Sequence, residues 1–274
     1  MEARPTLPLS DGAAYRFAAC DEVARPVVAK LAEVMALASR VDDSEAVLVS
    51  IAARRGGTAR PSKPDDGLHV AVFNPRDNPP ALAMQVATVA SAIALDVETR
   101  GGLLLHGALA LRGGHGVVLA GPPAVGKTTA SGRLSPPWRS LCDDATLVVR
   151  DAAGAYWAHP WPTWSRFVAG GPGGTWDVQR GVPLRGLFYL AQDERDRAES
   201  VGAGRAVTLL VAAVEQIVSV IQREMEGEEL RLLRLRRFDS ICALAKAVPC
   251  FELHLSLTGA FWEEMERVLG LEGR

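Results

Sequence analysis

The order of apolar and polar positions divides the chain into short strand-like runs and longer helical ones. "AAYRFAA" reads as a short strand. "DEVARPVVAKLAEVMALA" then has an acidic start and apolar residues at helical spacing, with Pro26 near the first turn, where a helix tolerates it. "EAVLVSIAAR" and "GLHVAVFNP" predict strands on either side of "RGGTARPSKPDDG", whose Gly, Pro and Asp content makes it a loop. After "NPRDNPP", the run "ALAMQVATVASAIALDVE" predicts an apolar helix ending near Gly101 and Gly102. Residues 1–100 therefore read as a small α/β domain for docking a substrate or partner, and residues 101–274 as a second unit.

That second unit opens with "GLLLHGALAL", which alternates poorly but is apolar and strand-sized. The turn "RGGHG" and the apolar "VVLA" complete a hairpin. "ATLVVRDAAGAYWA" is a further hairpin, turning at "DAAG". Towards the C-terminus, "RAVTLLVAAVEQIVSVIQREM" and "ELRLLRLRRFDSICALAKAV" are helical, joined near Gly227. "CFELHLSL" is a strand before the helix "GAFWEEMERVLG". The basic run "RLLRLRRF" puts Arg231, Arg234, Arg236 and Arg237 on more than one helical face, which reads as a solvated face, with docking to an acidic peptide as the alternative.

Chemistry enters with "GPPAVGKTT", which fits G-x-x-x-x-G-K-[ST] between a predicted strand and a predicted helix. Gly121, Pro122, Pro123, Ala124, Val125 and Gly126 make the loop, followed by Lys127, Thr128 and Thr129. In such a loop, backbone N–H groups turn inward on phosphate oxygens, the lysine neutralises β/γ-phosphates and the hydroxyl of Thr128 ligates Mg²⁺. A nucleotide, ATP or GTP, with Mg²⁺ is the expected ligand set. Asp143 and Asp144 follow after only "ASGRLSPPWRSLC", room for one short helix and a turn. This spacing puts the pair on a strand neighbouring the loop or at its edge, or in a plain turn before the next hairpin. Side chains alternate across a strand, so one acid can hold metal while the other takes a proton.

Composition narrows the classes of function. With 48% apolar and 23% charged residues, the 274-residue chain reads as soluble and globular. A net charge of -2 argues against nucleic acid as a partner. No run reads as long enough for a membrane span, and "MEARPTLPLS" lacks the features of a secretion signal, so the cytoplasm is the expected compartment. Cys20, Cys142, Cys242 and Cys250 stand apart, without metal-ligand spacing, and read as buried thiols. "YWAHPWPTWSRFVAGGPGGTWDVQRG", with Trp157, Trp161, Trp164 and Trp176 among prolines and glycines, reads as a mobile loop. It either grips a peptide or closes over a site, or packs on the sheet as a covering flap.

The His-Gly strand, hairpin, P-loop and following Asp-Asp pair from Leu103 to Val149 resemble the HPr kinase/phosphorylase group. Weaker likeness runs through "VPLRGLFYLAQ" and "VPCFELHLSLTGAFWEEME", and "WPTW" with "GGTWDVQRGVPLRGLFYL" is similar to the kinase-like branch of SynChlorMet peptide-modification cassettes. The resemblance implies an α/β fold: a mixed-sheet P-loop kinase domain of HPr kinase/phosphoenolpyruvate carboxykinase type, with the small N-terminal α/β domain. It also implies an ATP-dependent phosphotransferase acting on a Ser or Thr hydroxyl of a small protein or precursor peptide, alongside partner modification enzymes, with an oligomer left open. Asp143 would take the proton of the attacking hydroxyl, Asp144 would support the metal, or the reverse, and His106 matches the histidine of the family's His-Gly strand. His106 read alone is equally a strand-end histidine held by the backbone. Arg185 would offset phosphoryl charge, or is a surface arginine. The family's Pro-Gly-Arg-Asn type segment is missing, so the reverse, phosphate-dependent reaction is not implied. A non-catalytic nucleotide-binding regulator or scaffold is the other class of function in play.

Overall fold

Residues 3–41, 45–54, 67–73, 78–164, 174–218 and 227–271 are described by a computed structural model. By packing, the chain divides into Met1–Asp96 with Trp161–Arg180, and Val97–Pro160 with Gly181–Arg274. Both are mixed α/β structures with mixed sheets.

In the first unit, β1 (Arg4–Pro8), β2 (Ala14–Ala19), β3 (Ala38–Arg40), β4 (Val47–Ala53) and β5 (Leu68–Val72) form one sheet in the order β3-β1-β2-β4-β5. Its β1 pairings are antiparallel, and the β2–β4 and β4–β5 pairings are parallel. Tyr15 and Phe17, Val49 and Ile51, and Leu68, Val70 and Val72 are buried at every second position, the strand period that one covered face requires. α1 (Arg25–Val34) buries Val27, Leu31 and Val34 and carries Pro26 in its first turn, as the spacing predicts. α2 (Pro79–Thr99) brings polar groups into this core, each with a partner. Tyr15 Oη donates to Asp96 Oδ2 at 2.8 Å, and Gln85 Oε1 accepts the Phe73 amide at 2.9 Å. β1 and β3 are not among the predicted strands, because Pro5 and Pro8 weigh against the one and three residues carry no pattern for the other.

The second unit is built on β6 (Leu103–Arg112) and β7 (His115–Ala120), the hairpin expected around "RGGHG". The loop Gly121–Gly126 follows, then α3 (Lys127–Arg133), β8 (Arg139–Cys142), β9 (Ala145–Arg150) and β10 (Tyr156–Trp161). β11 (Val182–Gln192), β12 (Arg197–Ser200), α4 (Ala203–Val218), α5 (Gly227–Ala247), β13 (Cys250–Leu255) and α6 (Phe261–Leu269) complete it. The eight strands run β10-β9-β6-β7-β11-β13-β12, with β8 also on β6, and β10 pairs back with β11 to close a ring. β7, β11 and β13 are parallel. On one face Ala108, Val117, Leu119, Phe188, Leu190 and Leu253 pack against Ala130 of α3 and Phe261, Met265 and Leu269 of α6. α4 covers β6 from the other face. β6 is therefore apolar on both sides, which is why its sequence does not alternate.

Four expectations change. The stretch "YWAHPWPTWSRFVAGGPGGTWDVQRG" is no loop at its start: Trp157 and Trp161 lie in β10, with Trp157 Nε1 donating to Asp151 Oδ2 at 2.9 Å. Trp161 and Trp176 are buried, so these two rings act as cover rather than as exposed grips. The segment around Gly170 to Gly173 lies outside the described residues, as do most of "RGGTARPSKPDDG", "NPRDNPP" and the end of "VSVIQREM". α2 is, by length and composition, apolar enough to cross a membrane, although more than half of that stretch is buried in the fold. Of the four free thiols, Cys20 is exposed and only Cys142 fully buried.

The basic run changes too. Arg237 is buried, and its Nη2 meets Glu98 Oε2 at 2.6 Å. Burial pushes the Glu98 carboxyl up, and the adjacent guanidinium opposes that push. Removing one partner strands the other charge in a low-dielectric site, whereas removing both leaves only a packing change. Arg237→Met should therefore cost about 3–5 kcal/mol in urea denaturation, and Glu98→Leu/Arg237→Met clearly less. Equal losses would mean that the pair is not coupled.

Candidate active site

Gly107 is the residue around which the site is arranged. Along one flank of β6, Leu103–His106 pair with β9 and Leu109–Leu111 with β8. The ladder is interrupted opposite Gly107 and Ala108, and Asp143 and Asp144 form the two-residue bend that spans the interruption. The freed groups find side-chain partners. Thr146 Oγ1 donates to Gly107 O at 2.9 Å, and the Cys142 thiol donates to Ala145 O at 2.9 Å. On its other flank Gly107 pairs with Ala120, the last residue of β7 and the base of the loop Gly121–Gly126. A Cβ on Gly107 would lie 2.8 Å from Val118 Cγ1 and 3.0 Å from Leu119 O, so glycine is what allows β6 and β7 to close here.

The loop itself is tightly folded. Pro122, Pro123 and Ala124 form its exposed crest, with Ala124 at φ 62 in the left-handed region that costs a residue with a Cβ. Gly126, at φ 102, turns the chain into α3, a conformation open to glycine. Lys127 is buried, and its Nζ donates to Gly121 O at 2.9 Å and Pro122 O at 3.1 Å, so one ammonium ties the two ends of the turn. Burial pulls the Lys127 pKa down, against the opposing pull of the Asp144 carboxylate. Thr128 and Thr129 are exposed on the first turn of α3. The amides at the start of a helix have no partner within it. At the far end of α3, Arg133 Nη1 donates to Ser256 O at 2.8 Å and the guanidinium stacks over Phe261, which fixes the helix against the chain leaving β13.

His106 joins loop and acids. Its Nδ1 is 3.4 Å from Asp144 Oδ1, and its pKa is lowered, chiefly by burial, with Asp144 opposing and Lys127 reinforcing the shift. A neutral imidazole thus sits in the fields of one cation and one anion. The bland reading of His106 as a strand-end histidine held by the backbone does not describe this contact. Asp144 is partly exposed, and Asp143, also partly exposed, has a partner of its own.

The geometry therefore gathers Gly121–Thr129, His106, Asp143 and Asp144 into one region. Arg185 is not part of it. It is the extra residue of a β-bulge between Leu184, paired with Gly116, and Gly186, paired with Val117. That is the end of β7 away from the loop, roughly 13 Å of strand from Ala120. Its exposed side chain fits the surface-arginine reading. Gln192 was not among the candidates. Tyr189 of β11 aligns with Ala120, so Gln192 extends beside the loop, and its Nε2 donates to Val125 O at 3.4 Å. The one signal for it is the apolar strand "LFYLAQ", parallel to β7 and ending in a polar residue.

The family model of the SynChlorMet cassette protein ScmC matches residues 70–270, well over half of the chain. The chain belongs to the ScmC family. The matched residues include Gly121–Thr129, His106 and the Asp pair. No curated protein matches the sequence.

His106 yields a pH prediction. A histidine whose folded pKa lies below its ordinary 6.5 binds its proton less readily in the folded state than in the unfolded one. Its contribution is intact above pH 6.5 and is lost as pH falls from there through the lowered folded value. The wild type should lose thermal stability over that acid window, and His106→Asn should flatten the slope. Identical slopes would remove His106 as the titrating group.

Proposed function

We propose that the chain is an ATP-dependent phosphotransferase, with GTP the alternative donor, that phosphorylates a Ser or Thr hydroxyl of a small protein or precursor peptide. In this reading the second unit is a P-loop kinase domain of the HPr kinase/phosphoenolpyruvate carboxykinase type, and partner modification enzymes supply or take up the peptide. The observation that carries the proposal is Gly107, which pairs with the base of the P-loop on one side and faces the Asp pair on the other. A glycine-rich loop and two carboxylates are thereby held close by one strand.

The donor set fits Mg²⁺, which takes one or two carboxylates together with phosphate oxygens and water. Thr128 and Asp144 would hold the ion, which when bound would neutralise charge on the phosphates. Among the described residues no cluster of three or more His, Cys, Asp or Glu side chains stands ready for a metal. Lys127 would exchange its bonds to Gly121 O and Pro122 O for phosphate oxygens, a short movement for a flexible side chain. Asp143 would accept the proton as the acceptor oxygen bonds to phosphorus and the bond to the nucleoside diphosphate breaks. Neutral His106 would hold Asp144 in place.

Lys127→Ala should weaken Mg-nucleotide binding at least about tenfold, or roughly 1.4 kcal/mol, by calorimetry. Asp143→Asn keeps shape but not basicity, so turnover should fall roughly 10²–10⁴-fold while nucleotide still binds. Asp144→Asn should raise the Mg²⁺ concentration needed, with partial rescue by Mn²⁺. Mass spectrometry of precursor peptides incubated with Mg-ATP reads the product. Nucleotide affinity with no phosphorylated hydroxyl would place the chain in the other class, a nucleotide-binding regulator or scaffold.

A further inference from the structure

The basic run of α5 carries more than its buried ion pair. Leu233, Arg237, Ile241 and Leu244 form the inward face of the helix. Leu232, Leu235 and Phe238 lie outward, 43%, 51% and 50% exposed, at the i, i+3, i+6 spacing of neighbours on a helix surface. Val41, Phe73, Met84 and Leu257 are the other large apolar residues exposed among the described ones, and they are scattered through the sequence, so this cluster on one helix stands apart. Arg234 and Arg236 flank the stripe on opposite sides, exposed and without an ion pair among the described residues. Arg231 is engaged by Glu228 at 3.1 Å, and the nearest following acid is Asp239, beyond Phe238.

We infer that this face of α5 docks an acidic amphipathic helix of another protein, whose apolar side chains cover Leu232, Leu235 and Phe238 while its carboxylates meet Arg234 and Arg236. Charge selects this occupant. A second copy meeting face to face would bring arginine against arginine, and three half-exposed side chains fall well short of the roughly 800 Å² per partner that a stable dimer buries. An anionic membrane calls for clusters of about 4–8 cations, and only two here are unpaired by acids. A single helix in a shallow apolar stripe needs little more than spaced anchors and matching rim charge. The inference does not depend on phosphoryl transfer.

The test uses the full chain and a short fluorescent helix-forming peptide with leucines on one face and glutamates beside them, together with the same peptide carrying lysines for glutamates. The acidic peptide should bind, with affinity falling as salt rises, and the lysine peptide should not. Leu235→Ser/Phe238→Ser should weaken binding at least about tenfold, and Arg234→Glu/Arg236→Glu should do the same while admitting the lysine peptide. Circular dichroism checks that both surface variants remain folded. No binding of the acidic peptide, or binding indifferent to both variants, overturns the inference. So does wild-type cosedimentation with phosphatidylcholine vesicles containing phosphatidylserine, or a dimer in analytical ultracentrifugation that Leu235→Ser/Phe238→Ser abolishes.

Discussion

The close approach of β6 and β7 at Gly107 is the constraint on which the candidate site depends. Any side chain there would meet Val118 and the Leu119 carbonyl, and the base of the Gly121–Gly126 loop would be pushed from the strand that carries His106. The same residue lies where two strands, β8 and β9, share one flank of β6 and leave an interruption between them. A regular strand would pair Asp143 and Asp144 into a ladder and send them to opposite faces. A bend frees their carboxylates from that alternation, and the Thr146 hydroxyl and Cys142 thiol satisfy the backbone oxygens that the bend leaves behind.

Electrostatics follows from that packing. Burial lowers the pKa of both Lys127 and His106, and the Asp144 carboxylate opposes that shift in each. A lysine with two carbonyl acceptors is held without a carboxylate of its own, which leaves Asp144 to the imidazole. Gln192 and Arg133 act at a remove, one on the loop carbonyl of Val125 and the other on the chain beyond β13, so the loop is braced from two neighbouring strands.

Much of this was legible in the sequence. The P-loop pattern located its own strand and helix, and the short spacing to Asp143 placed the acids near the loop, because only α3 and β8 fit between. Periodicity located β2, β4, β5, both main hairpins and most helices. It could not reveal that Arg237 is buried, since its partner Glu98 is remote in sequence and a basic run on a helix has the signature of a wet face. It placed Arg185 by charge alone, whereas strand register sends it to the other end of β7. Nothing local marked Trp161–Arg180 as packing with the first unit, because what groups them is contact between distant segments such as the Trp176 amide and Val34 O.

Ring closure through β10 and β11 has a consequence for association. A strand with an unpaired flank offers its amides and carbonyls to any other strand, and folding back on itself removes that invitation for β9, β10 and the first half of β11. Among the described strands of the larger sheet, the outer sides of β8 and β12 stay open, each only four residues long, and in β12 Arg197 engages Asp193, Glu199 and His254. Borders so short make poor templates for intermolecular sheet growth, and the protein guards itself against aggregation at the places where its hydrogen-bonded belt ends.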